Sequence, residues 1–204
     1  IVGRVEVAVI YSVGLLEMDS YIRCFESLYP RAKVHLEFLH PDEVYSKILN
    51  GEADFGIVSF PKDGGEIGCI PWQEQKMELA VCPRHRFAHR HFIDWEDLSG
   101  VDFIGFTKEL RIRRMIDRWL KKAGVSIRVS HEFDNIENIK RAVEIGSGVA
   151  ILPARTIQSE VDAGSIRGIS LNGEQRFRPL GIVHKRNKSL SSAALKLVEM
   201  LREG

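Results

Sequence analysis

Three histidines and one cysteine lie close together in the segment CPRHRFAHRH, and this composition could bind zinc. His85, His89 and His91 offer imidazole nitrogens, and Cys82 offers a thiolate. These are the ligands that zinc prefers in proteins. The rest of the segment is basic and has no carboxylate that could orient the imidazole rings. We therefore favour a solvated basic loop and assign no metal-binding residue.

The chain carries none of the common catalytic or cofactor-binding patterns. G-x-S-x-G, the P-loop, H-E-x-x-H and G-x-G-x-x-G are all absent. Gly146-Ser147-Gly148 is a partial glycine pattern, but it lacks the third glycine and follows a helical pattern rather than a strand. We expect no catalytic residue, no cofactor and no enzymatic activity.

A second charged group could bind phosphate. It comprises Lys108, Glu109, Arg111, Arg113 and Arg114. Such a run is more often the solvated face of a helix, here opposite the apolar side. A role of the arginines in a ligand cleft or a subunit contact stays open.

Small residues follow several strand-like patterns, at junctions with helix-like patterns. The residues that we predict to bind a ligand at these junctions are Ser12, Val13, Ser59, Thr107, Asn135 and Ile136. In open α/β sheets, ligands bind beyond the carboxyl ends of the strands. Helix N-termini there present free N–H groups that favour anions. The same residue types also cap helices, so each junction has a plain structural alternative.

The elements that carry these junctions alternate between strand and helix. Val5, Val7 and Val9 alternate with polar or small residues, which predicts a strand. A helix follows, with its apolar residues three and four positions apart: Leu15, Met18, Ile22, Phe25 and Tyr29. The pattern repeats in a second block, where Asn135 is a candidate helix cap, and Ser191 can cap the final helix. Such alternation predicts an α/β protein with mainly parallel sheets, helices on both faces and two lobes.

Composition indicates an ordinary globular chain. It has 204 residues, of which 44% are hydrophobic. Its net charge is only +1, whereas a DNA-binding domain is usually clearly basic, so we do not expect this chain to bind DNA by itself. No apolar run approaches the roughly 20 residues that cross a membrane, and no signal peptide is recognisable. The three cysteines are widely spaced, which favours a reducing cytoplasm. Because the chain starts at Ile1, we expect that an upstream part is missing.

Several segments, in the right order, resemble the effector-binding domain of LysR-type transcriptional regulators over nearly the whole chain. VYSKILNGEADFGIV is similar to the family's L-x-x-G-x-x-D-x-x-I segment, through Leu49, Gly51, Asp54 and Ile57. IKRAVEIGSGVAILPA is similar to its V-x-x-G-x-G-I-x-x-L-P segment, through Val143, Gly146, Gly148 and Pro153. CPRHRFA resembles its P-x-H-P-L-A turn, with Arg86 in place of proline.

The resemblance implies a two-lobed fold like type 2 periplasmic binding proteins, with two crossover connections. Residues 1–81 and 179–204 would form the first lobe, and residues 82–178 the second. By analogy, Ser12, Thr107, Asn135 and Gly148 would face the cleft between the lobes. A winged helix-turn-helix that binds DNA would precede this chain.

The resemblance also implies a function. The chain would sense a small molecule, such as a carboxylate or another anion, and change how subunits are arranged on DNA. It would form dimers through the first helix and the helix near 110–120, and tetramers when full length. Two alternatives share the fold: a solute-binding receptor of a transport system, and an enzyme such as a dehydratase or deaminase.

Overall fold

The computed structural model describes all residues from 1 to 204. In chain order, its strands are β1 (Gly3–Ile10), β2 (Ala32–Leu39), β3 (Phe55–Ser59), β4 (Ile67–Val81), β5 (Phe92–Ile93), β6 (Asp102–Phe106), β7 (Arg128–Phe133), β8 (Ala150–Pro153), β9 (Arg167–Leu171) and β10 (Phe177–Lys185). Its helices are α1 (Leu15–Leu28), α2 (Pro41–Leu49), α3 (Arg111–Lys122), α4 (Ile136–Glu144), α5 (Gln158–Ala163) and α6 (Ser192–Glu203).

The chain divides into two compact units. The first contains residues 1–74 and 179–204, and the second contains residues 75–178. The strands β4 and β10 each continue from one unit into the other. The predicted lobes placed the first boundary after residue 81, at the basic segment that follows β4. No helix is long and apolar enough to span a membrane.

The first unit is built on parallel pairing around β1. The strand β1 pairs in parallel with β2 and with β3, and β10 pairs antiparallel with β3. Val5, Val7 and Val9 are all buried, as their alternation predicts. The helix α1 buries Met18 and Phe25 of the stripe that its spacing predicts, whereas Leu15, at the start of the helix, is 57% exposed. The buried residues belong to an apolar core that lies entirely within this unit.

The second unit has its own apolar core and mixed pairing. The strand β6 pairs in parallel with β7, and β5 pairs in parallel with β9. However, β4 pairs antiparallel with both β8 and β9. The sheets are therefore less uniformly parallel than the alternation of strands and helices predicts. The reason is that β4 and β10, the two strands that run through both units, form antiparallel pairs: β10 with β3, and β4 with β8 and β9.

Candidate functional site

In the first unit, two predicted ligand residues lie at one edge of the sheet. Because β1 and β3 are parallel neighbours, with Val9 beside Ile57, their carboxyl ends meet at the same edge. Ser12 lies in the 3-10 turn that follows β1, and Ser59 is the last residue of β3. Both serines are buried. This edge therefore gathers hydroxyl groups at the position where α/β sheets bind ligands.

The residue after Ser59 has an unusual backbone. Phe60 is the one non-glycine residue with a positive φ, at 48°. Its N–H donates to the carbonyl of Pro179 at 2.9 Å, which holds the turn in place. Left-handed backbone is costly for a side chain of this size, and such strain often occurs at functional sites.

Val13 and Ile136 have a packing role. Val13 is buried in the core of the first unit, and Ile136 is completely buried in the core of the second. Neither side chain offers a polar atom. We therefore assign both residues to the framework that holds their neighbours in place.

The second unit has a corresponding edge at the carboxyl ends of β6 and β7. These strands are parallel, with Phe106 beside Phe133. The N–H of Thr107 donates to the carbonyl of Phe133 at 3.1 Å, which joins the two strand ends. The Thr107 hydroxyl oxygen is buried and has no hydrogen-bond partner. A buried polar atom without a partner is destabilising by about 1–3 kcal/mol.

Asn135 lies at the same edge, and its side chain caps α4. Its Oδ1 accepts a hydrogen bond from the N–H of Glu137 at 2.8 Å. The predicted cap is thus confirmed. Since Oδ1 accepts this bond, the amide Nδ2 group is the part of Asn135 that could donate to a ligand.

The structure separates Gly148 from these residues. A Cβ atom at this position would lie 2.8 Å from the carbonyl oxygen of Asp102, at the start of β6. Thr107 follows the other end of that strand. The Arg128 side chain donates to the Asp102 carboxylate and lowers the pKa of Asp102. Close backbone packing explains the glycine without a ligand.

Of the three candidate arginines, Arg113 is buried and bonded within its own unit. Its Nη1 donates to the carbonyl of Phe106 at 2.6 Å. Its Nε donates to the carboxylate of Asp117 at 3.0 Å, and Glu132 lies 3.5 Å from Nη1. Arg114 is exposed and donates to the carbonyl of Glu109. Arg113 therefore supports the end of β6 and is already matched by carboxylates.

Two further buried cations were not among the predicted residues. Lys140 lies on α4 with only 3% of its side chain exposed. Arg178 is fully buried, and both its Nε and Nη2 donate to Oε1 of Gln75. A signal was present in the sequence, because Lys140 falls on the apolar stripe of Ile136 and Val143.

The histidine segment forms a turn held together by its own contacts. His85 Nδ1 accepts from the N–H of Phe87 at 3.1 Å. Burial and the neighbouring Arg86 lower the pKa of His85. His89 and His91 are exposed. No histidine, cysteine or carboxylate side chains converge into a group of three that could hold a metal ion.

Comparison with known proteins gives one consistent family. A family model described as the LysR substrate binding domain matches residues 1–204. The chain is 28% identical over 203 residues to the "Probable RuBisCO transcriptional regulator" of Cyanophora paradoxa, covering 94% of this chain and 61% of that protein. It is 24% identical over 197 residues to the "Uncharacterized HTH-type transcriptional regulator YeiE" of Escherichia coli (strain K12), covering 97% of this chain and 67% of that protein. The chain thus spans about three fifths of the first relative, and both are named as regulators.

Solved structures agree on the fold. The regulatory domain of Synechocystis PCC6803 CcmR in complex with 2-PG has a TM-score of 0.86 at 22% identity, covering 98% of this chain and 96% of that one. The effector binding domain of QuiR in complex with shikimate has a TM-score of 0.84 at 17% identity, covering 99% and 96%. The reduced OxyR regulatory domain from Pseudomonas aeruginosa has a TM-score of 0.86 at 19% identity, covering 100% and 98%. These likenesses confirm the predicted α/β, periplasmic-binding-protein-like fold class.

Proposed function

We propose, since the chain belongs to the family of LysR substrate-binding domains, that it is the effector-sensing part of a bacterial transcription regulator. Its ligand is a small anion that binds at polar strand ends. The candidate residues are Ser12 and Ser59 in the first unit, and Thr107 and Asn135 in the second. The expectation from the family and the polar strand ends support the same location.

The observation that carries this proposal is the buried hydroxyl of Thr107. Its oxygen has no partner within the chain, at the edge of a parallel sheet where α/β proteins bind ligands. A ligand oxygen that displaced the atoms now covering this hydroxyl would supply the missing hydrogen bond. The stabilisation lost by leaving the hydroxyl unpaired would then be recovered in the complex.

An anion fits the main-chain groups at both edges. The helix α1 begins shortly after the turn that contains Ser12, and α4 begins directly after Asn135. The first turn of a helix has free N–H groups and a partial positive charge. Solved relatives hold small molecules, namely 2-PG in CcmR and shikimate in QuiR. Shikimate carries a carboxylate, which is the ligand chemistry that we propose here.

The regulatory step is a shift between two arrangements of the protein. An effector changes the output only when it binds one arrangement more tightly than the other. DNA is bound by a winged helix-turn-helix that precedes this chain in the full-length protein. We accordingly place the regulator in the cytoplasm, where its DNA lies.

Self-association would use exposed leucines at the two ends of α1. Leu15, Leu16 and Leu28 are large apolar residues that are more than half exposed on this helix. The other helix that we expected to contribute, α3, buries its large apolar residues within the second unit, except for the partly buried Met115. We therefore assign the apolar part of a dimer interface to α1, and tetramers to the full-length protein.

A thermal-shift screen followed by calorimetry tests the proposed ligand. The screen uses small carboxylates, sulfonates, 2-PG and shikimate, each beside a neutral analogue of similar size. We expect anions to raise the melting temperature and Ser12→Ala to weaken the best hit at least about tenfold, as expected for the loss of a hydrogen bond to a charged group. Unchanged affinity in Ser12→Ala would contradict the placement, and hits confined to neutral compounds would contradict the anion.

A further inference from the structure

The helix α3 concentrates positive charge. Its sequence, RIRRMIDRWLKK, carries six cations and a single carboxylate. Since the net charge of the whole chain is +1 and that of α3 is +5, the rest of the chain has a net charge of −4. The first arginines of α3 belong to the charged group that could bind phosphate, and the proposed effector site makes no use of them.

Five of the six cations lie on one side of α3. An α-helix turns by about 100° per residue, so these five project within an arc of roughly 100°. They form the basic face of α3: Arg111, Arg114, Arg118, Lys121 and Lys122. The opposite side is buried in the core of the second unit, through Ile112, Ile116 and Leu120. The carboxylate of Asp117 binds Arg113, which lies outside the basic face.

The charge of the basic face is poorly neutralised within the chain. Arg118 and Lys121 are exposed and make no ion pair. Arg114 donates to a neutral group, the carbonyl of Glu109. Lys122 lies 3.9 Å from Glu174, but both side chains are 70% exposed, so solvent screens this pair. The face therefore presents positive charge to an anionic partner.

The side chains around the basic face narrow the choice of partner. No large apolar side chain of α3 is exposed, whereas a helix that lies on a membrane presents several. The only aromatic residue of the helix, Trp119, is 8% exposed and offers no ring on which bases of a single strand could stack. These features favour a partner that is recognised by charge alone.

The length of the basic face fits the backbone of a DNA duplex. From Arg111 to Lys121 the helix rises about 15 Å. One strand of B-DNA carries a phosphate every ~3.4 Å along the axis, so about four phosphates lie within that length. Arginine and lysine can bind phosphates without reading a base sequence.

We propose that the basic face of α3 binds the phosphate backbone of duplex DNA, as a contact additional to that of the winged helix-turn-helix. The choice of DNA among polyanions rests on the proposed function as a regulator. The negative charge of the rest of the chain repels DNA, so the duplex approaches through α3. The contact is weak by itself, but a linked domain that already holds the DNA raises its effective concentration.

Fluorescence anisotropy of a labelled duplex of mixed sequence, titrated with this chain, tests the contact. For four phosphate contacts, we expect the affinity to fall about 100-fold when salt rises from about 50 to about 200 mM. Combining Arg114→Gln with Arg118→Gln should lower the slope of log affinity against log salt by about two. The same pair should weaken binding at low salt at least about tenfold.

The control is Arg31→Gln with Arg202→Gln, which removes two exposed arginines from the other unit and changes the net charge equally. We expect this control to leave the salt slope unchanged. Equal losses in the two double variants would overturn the proposal, because overall charge would then explain binding. Tighter binding of poly-L-glutamate than of the duplex would overturn it in favour of an acidic protein.

The effector screen is a separate measurement, which keeps the two proposals distinguishable. Arg114 and Arg118 lie outside the proposed effector site, so their variants should bind the best anion hit with unchanged affinity. An absence of duplex binding at low salt, together with intact anion hits, would overturn the DNA contact and leave the proposed function in place.

Discussion

Two polar side chains at the same strand ends of the second unit differ in how their oxygens are bonded. The Oδ1 of Asn135 has the N–H of Glu137 as a partner, whereas the hydroxyl of Thr107 is buried without one. The first arrangement stabilises the free protein. The second is costly unless a partner from outside the chain supplies the missing hydrogen bond.

Replacing Thr107 with valine tests this difference, since valine has nearly the same shape and no hydroxyl. We expect Thr107→Val to stabilise the free chain by about 1 kcal/mol, because it removes an unpartnered buried polar group. The same change should weaken the effector hit from the screen. Urea denaturation and calorimetry measure the two effects. Thr107→Ser keeps the hydroxyl and serves as the control; a Thr107→Val protein that is less stable yet binds normally would contradict the role.

At Gly148 we expect a substitution to lower the stability of the free chain rather than raise it. A methyl group there would lie 2.8 Å from the carbonyl oxygen of Asp102, so Gly148→Ala must displace a strand. We expect a loss of about 1–3 kcal/mol in the free energy of unfolding, as for other overpacked sites. Urea denaturation monitored by circular dichroism measures it. Unchanged stability together with lost effector binding would instead return Gly148 to the ligand site.

The residue pattern predicted a local role, such as a helix cap, but it did not predict which charged side chains are buried. Asn135 was predictable as a cap, because a cap depends on its immediate neighbours. Arg113, Lys140 and Arg178 were not predicted as buried, since charged side chains are rarely inside. Each nevertheless has carbonyl, carboxylate or amide partners that only the folded chain brings together.

Helix α4 depends on contacts at both its start and its middle. Asn135→Ala should cost about 1 kcal/mol of stability, because the first turn loses its cap. Asn135→Asp keeps an acceptor and should be tolerated. Ser191 caps α6 in the other unit, where its hydroxyl accepts a hydrogen bond from the N–H of Ala194. Ser191→Ala is therefore the matched control. We expect it to destabilise the chain to a similar extent and to leave effector binding unchanged. Thermal denaturation with calorimetry compares the three variants.

The middle of α4 is joined to α5 by the buried ion pair. Lys140→Met should destabilise the chain by about 3 kcal/mol, because Glu160 loses its only close cation. Adding Glu160→Leu to this variant should restore part of the loss, since the uncompensated carboxylate is removed. A double-mutant cycle in urea measures the coupling. Additive effects of the two changes would show that the pair contributes no coupling energy.

Strand and helix ends were predicted unevenly. The helix α1 was clear, because its apolar spacing marks it. Pro41, a residue type favoured in the first turn of a helix, marks the start of α2. The first part of β4, before Met77, was missed because it holds Pro71 and a run of polar residues. The two-residue strand β5 was also missed, since so short an element has no periodicity.

At the scale of the whole molecule, the exposed leucines of α1 should decide the oligomeric state. Leu16→Glu places a charge in the proposed interface, and we expect the dimer dissociation constant to rise at least about tenfold. Because Leu16 is 59% exposed, the stability of the monomer should hardly change. Sedimentation velocity measures the association. Leu195→Glu, at a 49% exposed position on α6, is the control; an equal effect of both variants would contradict an interface on α1.

The division of the molecule was only partly readable from the sequence. Periodicity predicts two blocks in tandem, and the return of the last strand and helix to the first lobe came from the family resemblance. In the structure, β10 pairs with β3 and α6 packs on α1. Such pairings join distant parts of the chain, so no local pattern announces them.

The return of the chain to its first unit also determines the order in which the protein can be completed on the ribosome. The second unit consists of one continuous stretch, residues 75–178, and all its partners have been synthesised before β10 is finished. In the first unit, β1, β2 and β3 are complete long before β10 and α6, which are synthesised only after the second unit. Since domains fold as units during synthesis, the middle of this chain should be folded while its beginning is still incomplete.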